Sequence, residues 1–317
     1  MRSPATKISD KCCDALVVGG GPAGLSAAIY LARARRSVVV IDRGVPGRSD
    51  WPQVNQNYFG FPEGIAATEL IERGRAQLTR FGGQIQEGEV AQLMPLAGGA
   101  EGFEARGPDL AISGRTVVLA TGVRDHWVEF SGHEQFIGIS MHWCIVCDGY
   151  EMQGQRVLIA GNTEEIVDEA IQMQRFTSKV TVVTNSGAVG ISPAAVGRLK
   201  AAKIPFVVGR IKSARAKKRG YFASVRLEDG SELKLDHLFS NQGAEPNNAL
   251  ARALGVSLDE KGYIQTDTTG QTNVPGLWAA GDVTRLSSHQ IVTAASEGAC
   301  VATAVSWALY QWEQGIE

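Results

Sequence analysis

The segment Cys144-Ile145-Val146-Cys147-Asp148-Gly149 carries the most chemistry in this chain. Two thiols two residues apart can close a small disulfide, and the neighbouring carboxylate can move the proton that a thiolate takes up. The competing reading is half of a zinc site, which would need a second Cys-x-x-Cys or a histidine pair. Cys12, Cys13 and Cys300 lack ligand spacing, so the redox reading leads and no metal is expected. Near the start, Gly19, Gly21 and Gly24, with Pro22 and Ala23 inside the run, have the Gly-x-Gly-x-x-Gly spacing of a turn that admits a pyrophosphate. Asp42, one strand further on, is placed for a ribose hydroxyl. Alone the turn says only dinucleotide, and a plain glycine turn of an α/β fold is its bland alternative.

The elements that position these groups follow from hydrophobic pattern. Residues 15–18 read as a buried strand, 25–35 as a helix and 37–41 as a second strand ending at Asp42, which is a βαβ unit. A helix over 68–81 and short strands with Gly-rich turns lead to a buried strand at 116–120. A second α/β pattern opens at 156–160, with a helix from Glu164 and a strand at 179–184. A hairpin turning at Asp229-Gly230 precedes a strand at 236–240, and the first pattern resumes from Pro246. The expected fold is α/β, with two Rossmann-like, three-layer dinucleotide-binding domains, the second inserted in the first. Residues 1–13 read as a flexible leader, 14–123 with 245–317 as the outer domain, and 124–244 as the inner one.

Composition narrows the class. The chain has 317 residues, 44% of them hydrophobic, and 37 glycines, enough for two domains with many tight turns. A formal charge of −2 speaks against nucleic acid. Five cysteines at this length make no disulfide framework, and no secretory leader opens the sequence, so a cytoplasmic location is expected. Residues 15–32 are uncharged, yet Pro22 and several glycines interrupt them, so a strand, turn and helix is expected there rather than a membrane span.

Several further stretches carry a resemblance: 57–65, Ala120-Thr121-Gly122 after an apolar strand, 273–282 with Gly281-Asp282, and 290–295. With the two motifs above, they make the chain similar to a low-molecular-weight thioredoxin reductase over almost its full length. The resemblance implies FAD in the outer domain, a homodimer, and a thioredoxin-like disulfide as substrate. It implies that Cys147 faces the flavin, that Cys144 attacks the partner disulfide, and that Asp148 protonates a leaving thiolate. It also implies flavin contacts from Gly19, Gly21, Pro22, Ala23, Gly24, Asp42, Arg43, Arg48, Asn57 and Val90. Ala120, Thr121, Gly122, Gly281, Asp282, His289, Gln290 and Ile291 complete that set.

The inner domain departs from the family pattern. Where thioredoxin reductases have a Gly-x-Gly-x-x-Ala turn, this chain has Gly161-Asn162-Thr163-Glu164-Glu165-Ile166. A threonine stands where pyrophosphate needs glycine, and two carboxylates sit at the helix start. The next strand ends in Thr184-Asn185-Ser186-Gly187, with no arginine for a 2′-phosphate. NADPH use is not expected. That loss is similar to the pyridine-nucleotide-independent branch, whose members are ferredoxin-dependent, deeply rooted or diflavin-linked. The diflavin type is preferred, because Trp143, Tyr310 and Trp312 could face a second FAD; a packing or interface role for them stands equally. Further departures are Arg48-Ser49 in place of a glutamine-led segment and His289 in place of arginine.

His142 reads as an exposed loop histidine, with a base near the dithiol as the sharper alternative. Ile145 and Val146 make the motif bulky, which would restrict partner access. Six basic residues, Arg210, Lys212, Arg215, Lys217, Lys218 and Arg219, read as a solvated loop or as a docking patch for an acidic electron carrier such as ferredoxin. A rival of another class is a flavin-binding redox sensor whose dithiol changes state without turnover.

Overall fold

In the computed structural model, residues 12–44, 47–48, 51–97, 101–284 and 289–316 are described. Most of the segment read as leader, and Ser49, lie outside them. The chain forms two compact units, one of Met1–Asp50, Thr68–Arg124 and Glu245–Glu317, the other of Trp51–Ala67 and Asp125–Ala244.

In the first unit, β1 (Cys13–Val18), α1 (Pro22–Arg33) and β2 (Val38–Asp42) make the βαβ start. The short strands β3 (Val54–Asn55) and β4 (Ile65–Ala66) pair with each other and belong to the second unit. After α2 (Ala67–Arg80) come β5 (Gln84–Glu87), β6 (Gln92–Pro95), β7 (Phe103–Gly107) and β8 (Leu110–Leu119). The sheet runs β5-β2-β1-β8-β7-β6. β8 is shared between two kinds of pairing. Its first half is antiparallel to β7, and its second half is parallel to β1. Its burial changes accordingly, from alternating to continuous at Thr116–Leu119. Strands covered on both faces read as unbroken apolar runs, and half-solvated ones alternate. That explains why only the second half reads as a buried strand from sequence.

The chain then passes through β9 (Val123–Asp125) to the second unit, with β10 (Met141–His142), α3 (Ile145–Asp148), β11 (Val157–Ala160), α4 (Glu165–Met173), β12 (Val180–Val183), α5 (Pro193–Ala201) and β13 (Phe206–Val207). An antiparallel meander follows, β14 (Ile211–Lys218), β15 (Tyr221–Leu227) and β16 (Glu232–Lys234), and then β17 (His237–Ser240). The unit's main sheet is parallel throughout, in the order β10-β17-β11-β12-β13. Past β18 (Ala244–Pro246), the chain returns to the first unit with α6 (Ala249–Ala253), β19 (Leu277–Ala279), which pairs with β8, and α7 (Ile291–Gln314).

α7 is long and apolar enough by length and composition to cross a membrane, but it packs along α1. Ala294, Gly298, Val301, Ala302, Val305 and Leu309 form its buried stripe at helical spacing. A Cβ on Gly298 would stand 2.1 Å from the Ala23 carbonyl oxygen, so only glycine allows the two helices this close. β1 begins at Cys13, inside the expected leader. Burial pushes the Cys13 thiol up to about 12, and it serves as a core residue.

Candidate functional site

The glycines at the end of β1 have separate duties. Gly19 has φ +111°, and a Cβ there would meet the Ala120 carbonyl oxygen at 2.2 Å. A Cβ on Gly24 would stand 1.9 Å from the Gly19 oxygen, so this residue sets how closely α1 approaches the strand. Gly21 has nothing within 4 Å of its Cβ position. It caps α1 without a side-chain hydrogen bond, Pro22 opens the helix, and the first turn holds no acid. The outcome is an open helix terminus whose free N–H groups and partial positive charge suit a pyrophosphate. Gly20, which the sequence reading passed over, makes room for Asp42, whose carboxylate would lie 2.4 Å from a Cβ there.

Asp42 ends β2. Its Oδ2 takes a hydrogen bond from Arg75 Nη2 at 2.5 Å, and its Oδ1 takes a long one of 3.4 Å from the Gly44 N–H. Ala120-Thr121-Gly122 follows β8, the strand between β1 and β19. Thr121 Oγ1 donates to the Asn247 carbonyl at 2.7 Å, and Asn247 Nδ2 donates back to the Thr121 carbonyl at 2.8 Å. Gly122 has φ +66° and open space at its Cβ position. Asp282 accepts from Arg48 Nη1 at 2.6 Å. Gln290 and Thr293 close a capping box on α7, which opens at Ile291, and His289 rests against the Tyr263 ring at 5.5 Å. Arg43 stands 3.8 Å from Glu89, and Val90 is buried. This cradle, with its open glycines and free helix terminus, fits a dinucleotide such as FAD. Of the expected contacts, Asn57 and Trp143 are carried by the second unit.

In the second unit, Cys144 and Cys147 are joined as a disulfide with Cα atoms 5.3 Å apart, which takes both sulfurs away from the zinc alternative. Cys144 caps α3, and the Cys147 N–H donates to its Sγ at 3.1 Å. Such a donor favours the charged form of Cys144 once the bond opens. Gly149 lets Phe176 pack beneath this turn, where a Cβ would lie 2.8 Å from the ring. Val146 is 73% exposed.

His142 is not an exposed loop residue, as the sequence reading held. It lies in β10 and is 7% exposed, with Nδ1 3.3 Å from Asp148 Oδ1 and Nε2 3.0 Å from His237 Nδ1. No spacing signal links it to His237, which lies 95 positions away. Only the parallel register of β10 on β17 brings the two together. Burial, reinforced by His142, lowers the His237 pKa from 6.5 to about 4. Next to it, hydrogen bonds from Arg156 hold Asp236 well below the usual carboxylate range. Between the unfolded value of 6.5 and the folded value of about 4, the unfolded chain holds more protons at His237, so stability falls as pH drops through that window. Urea midpoints measured downward from neutral pH are expected to fall more steeply for the unmodified chain than for His237→Phe.

Trp143 packs edge-on to Trp127 at 5.3 Å, and Trp127 packs edge-on to Trp51 at 6.2 Å. Tyr310 and Trp312 are exposed on α7.

The turn after β11 contrasts with the one after β1. Asn162 Oδ1 accepts from the Gly190 N–H at 2.6 Å, and Glu164 Oε1 accepts from the Ser192 N–H at 2.6 Å. A Cβ on Gly190 would meet the Asn162 oxygen at 2.6 Å. The 188–192 segment is therefore stitched onto the turn, and Glu165 and Asp168 stand in the first turn of α4. The start of α4 thus carries carboxylates where the start of α1 carries none.

Residues 13–298 match the family model described as pyridine nucleotide-disulphide oxidoreductase. A thioredoxin reductase of Bacillus subtilis (strain 168) is 30% identical over 304 residues, 93% of this chain and 94% of that protein. Among solved structures, HlmI superposes with a TM-score of 0.88 at 29% identity, covering 97% of this chain and 95% of that one. The thioredoxin reductase of Streptococcus pyogenes MGAS5005 superposes at 0.87 with 27% identity, over 96% and 100% of the two chains.

Proposed function

Because the chain belongs to the pyridine nucleotide-disulphide oxidoreductase family, as a thioredoxin reductase-like flavin-dependent disulfide oxidoreductase, we propose that it reduces a thioredoxin-like protein disulfide through Cys144 and Cys147 with electrons from a donor other than NADPH. FAD, when bound, would supply a two-electron store that can be filled by one-electron carriers. Gly19, Gly21, Pro22, Ala23 and Gly24 would hold its pyrophosphate on α1. Asp42 would accept from the adenosine ribose, and Ala120, Thr121, Gly122, Asp282, His289, Gln290 and Ile291 would line the rest.

Cys147 then receives electrons and Cys144 exchanges with the partner. The Cys147 N–H on Cys144 Sγ supports that division, because it favours an attacking thiolate at Cys144. Asp148 supplies the proton.

The observation that carries the donor reading is the stitched turn at Asn162–Gly190 and Glu164–Ser192. Ferredoxin or a second FAD would be the donor. The basic residues of β14 support docking of an acidic carrier, although Lys217 is committed to Asp236 and Arg215 to Glu232. By analogy with thioredoxin reductases we assign a homodimer and a cytoplasmic location. Flavin extracted per chain, combined with turnover of a thioredoxin disulfide driven by dithionite-reduced ferredoxin, tests this. One flavin with turnover gives the ferredoxin type, and two give the diflavin type. Reversible reduction without any catalysed partner would leave a redox sensor and end the enzyme reading of this site.

A further inference from the structure

Two histidines remain without a role in that reading, on which this inference rests, and the fold joins both to the dithiol. Asp148 shares α3 with Cys147, and its N–H donates to the Cys144 carbonyl at 3.1 Å. Its carboxylate can only accept, so the His142 tautomer that serves it carries the proton on Nδ1, 3.3 Å from Asp148 Oδ1. Nε2 of that ring is then an acceptor. Its partner at 3.0 Å, His237 Nδ1, must be the donor, which leaves His237 Nε2 bare at the outer end. His142 is buried, whereas His237 is only partly so. The two rings therefore span the distance from the dithiol turn to solvent, and in this tautomer both N–H groups lie on the side nearer Asp148.

We propose that Asp148, His142 and His237 form a proton wire between the Cys144–Cys147 dithiol and solvent. Opening the disulfide breaks one S–S bond and, in the step the wire serves, leaves one S–H bond and one thiolate, consuming two electrons and one proton. The electrons come from the flavin chemistry of the family, and the wire delivers a solvent proton. His142 passes its Nδ1 proton to Asp148 while taking the Nδ1 proton of His237 on Nε2. Asp148, now a carboxylic acid, protonates the thiolate, and His237 takes a proton from water on Nε2. When the dithiol is reoxidised by a substrate disulfide, a proton returns along the same row and both rings recover their first tautomer.

Burial, with His142 beside it, keeps the His237 ring uncharged against the opposing pull of its acidic neighbours. His237 is faced by Asp236 at the start of its own strand and by Lys217 from β14, with Asp148 beyond His142. Asp236 is itself committed to Arg156 and Lys217. A ring titrating at about 4 stays uncharged at neutral pH, as a tautomeric relay requires.

The test uses holoenzyme reduced with dithionite and mixed with an aromatic disulfide whose thiolate product is coloured. His237→Ala is expected to slow product release by about tenfold to a hundredfold at neutral pH, at or below the low end of the roughly 10²–10⁴-fold that a positioned general acid or base contributes. Free imidazole in the buffer should restore most of the rate in proportion to its concentration. His237→Gln, which keeps a polar side chain of similar reach but cannot relay, should behave like the alanine variant. Nitrogen NMR of the resting protein should find protonated Nδ1 on both rings and bare Nε2 on His237. An unchanged rate in both variants, a loss that imidazole does not restore, or a proton on Nε2 of His142 would each overturn the wire. Full activity in both Cys144→Ser and Cys147→Ser would instead overturn the dithiol reading beneath it.

Discussion

Cys147→Ser is expected to bring disulfide-linked turnover to background, a loss on the order of a thousandfold or more, since no other sulfur lies within the turn to carry the electrons onward. Cys144→Ser should fail as completely but at a different stage. Its remaining Cys147 thiol can still exchange electrons on the flavin side, yet it has no partner sulfur with which to resolve a mixed disulfide. Single-turnover mixing separates the two, because only Cys144→Ser should show a perturbed flavin spectrum from a neighbouring thiolate. The short helix makes the pair act as a unit. It caps on Cys144 and holds the Cα atoms 5.3 Å apart, and the Gly149–Phe176 contact supports it from below. Retained turnover in both variants would remove the disulfide from the electron path.

Mixing the purified protein with NADPH or NADH should leave the flavin absorbance unchanged over the time in which a nucleotide-dependent enzyme bleaches. A charge-assisted hydrogen bond to phosphate is worth roughly 1.5–3 kcal/mol. Losing the arginine contacts to a 2′-phosphate therefore weakens binding by about tenfold to a hundredfold for each contact. The pyrophosphate end fares worse, because Glu164, tied to the Ser192 N–H, and Glu165 keep negative charge at the start of α4, where a pyrophosphate would need positive potential. Glu164→Ala alone should not recover reduction, since Thr163 remains and the segment after β12 still offers no cation. Rapid bleaching of the unmodified protein would sink the argument from this turn.

Local pattern carried much of this protein's character. The apolar runs of β1, β11 and β12 announced parallel strands, because strands covered on both faces must be apolar throughout. The glycine spacing at 19, 21 and 24 announced a phosphate turn, since backbone conformation and close approach are decided within a few residues. Cys144, Cys147 and Asp148 are local for the same reason, as a four-residue helix closes a disulfide by its own geometry. The unfavourable turn at 161–166 was also visible, though only as the wrong residue types.

What stayed hidden depends on pairing between distant strands. The trading of hydrogen bonds between Glu164 and Ser192, and between Asn162 and Gly190, joins segments 28 positions apart and has no periodicity to reveal it. The grouping of Trp51–Ala67 with the second unit likewise follows from packing, not from composition. His142 shows the contrast most sharply. Its neighbours along the chain offer no sign of burial, and it reads as an exposed loop residue. The register that lays β10 beside β17 covers it, sets His237 against its outer nitrogen and leaves Asp148 at its inner one. Sequence by itself determined the dithiol and the phosphate cradle, because short-range geometry suffices for both. Tertiary structure alone decided what surrounds the dithiol, because desolvation and a shared hydrogen bond between two rings exist only once the sheet has formed.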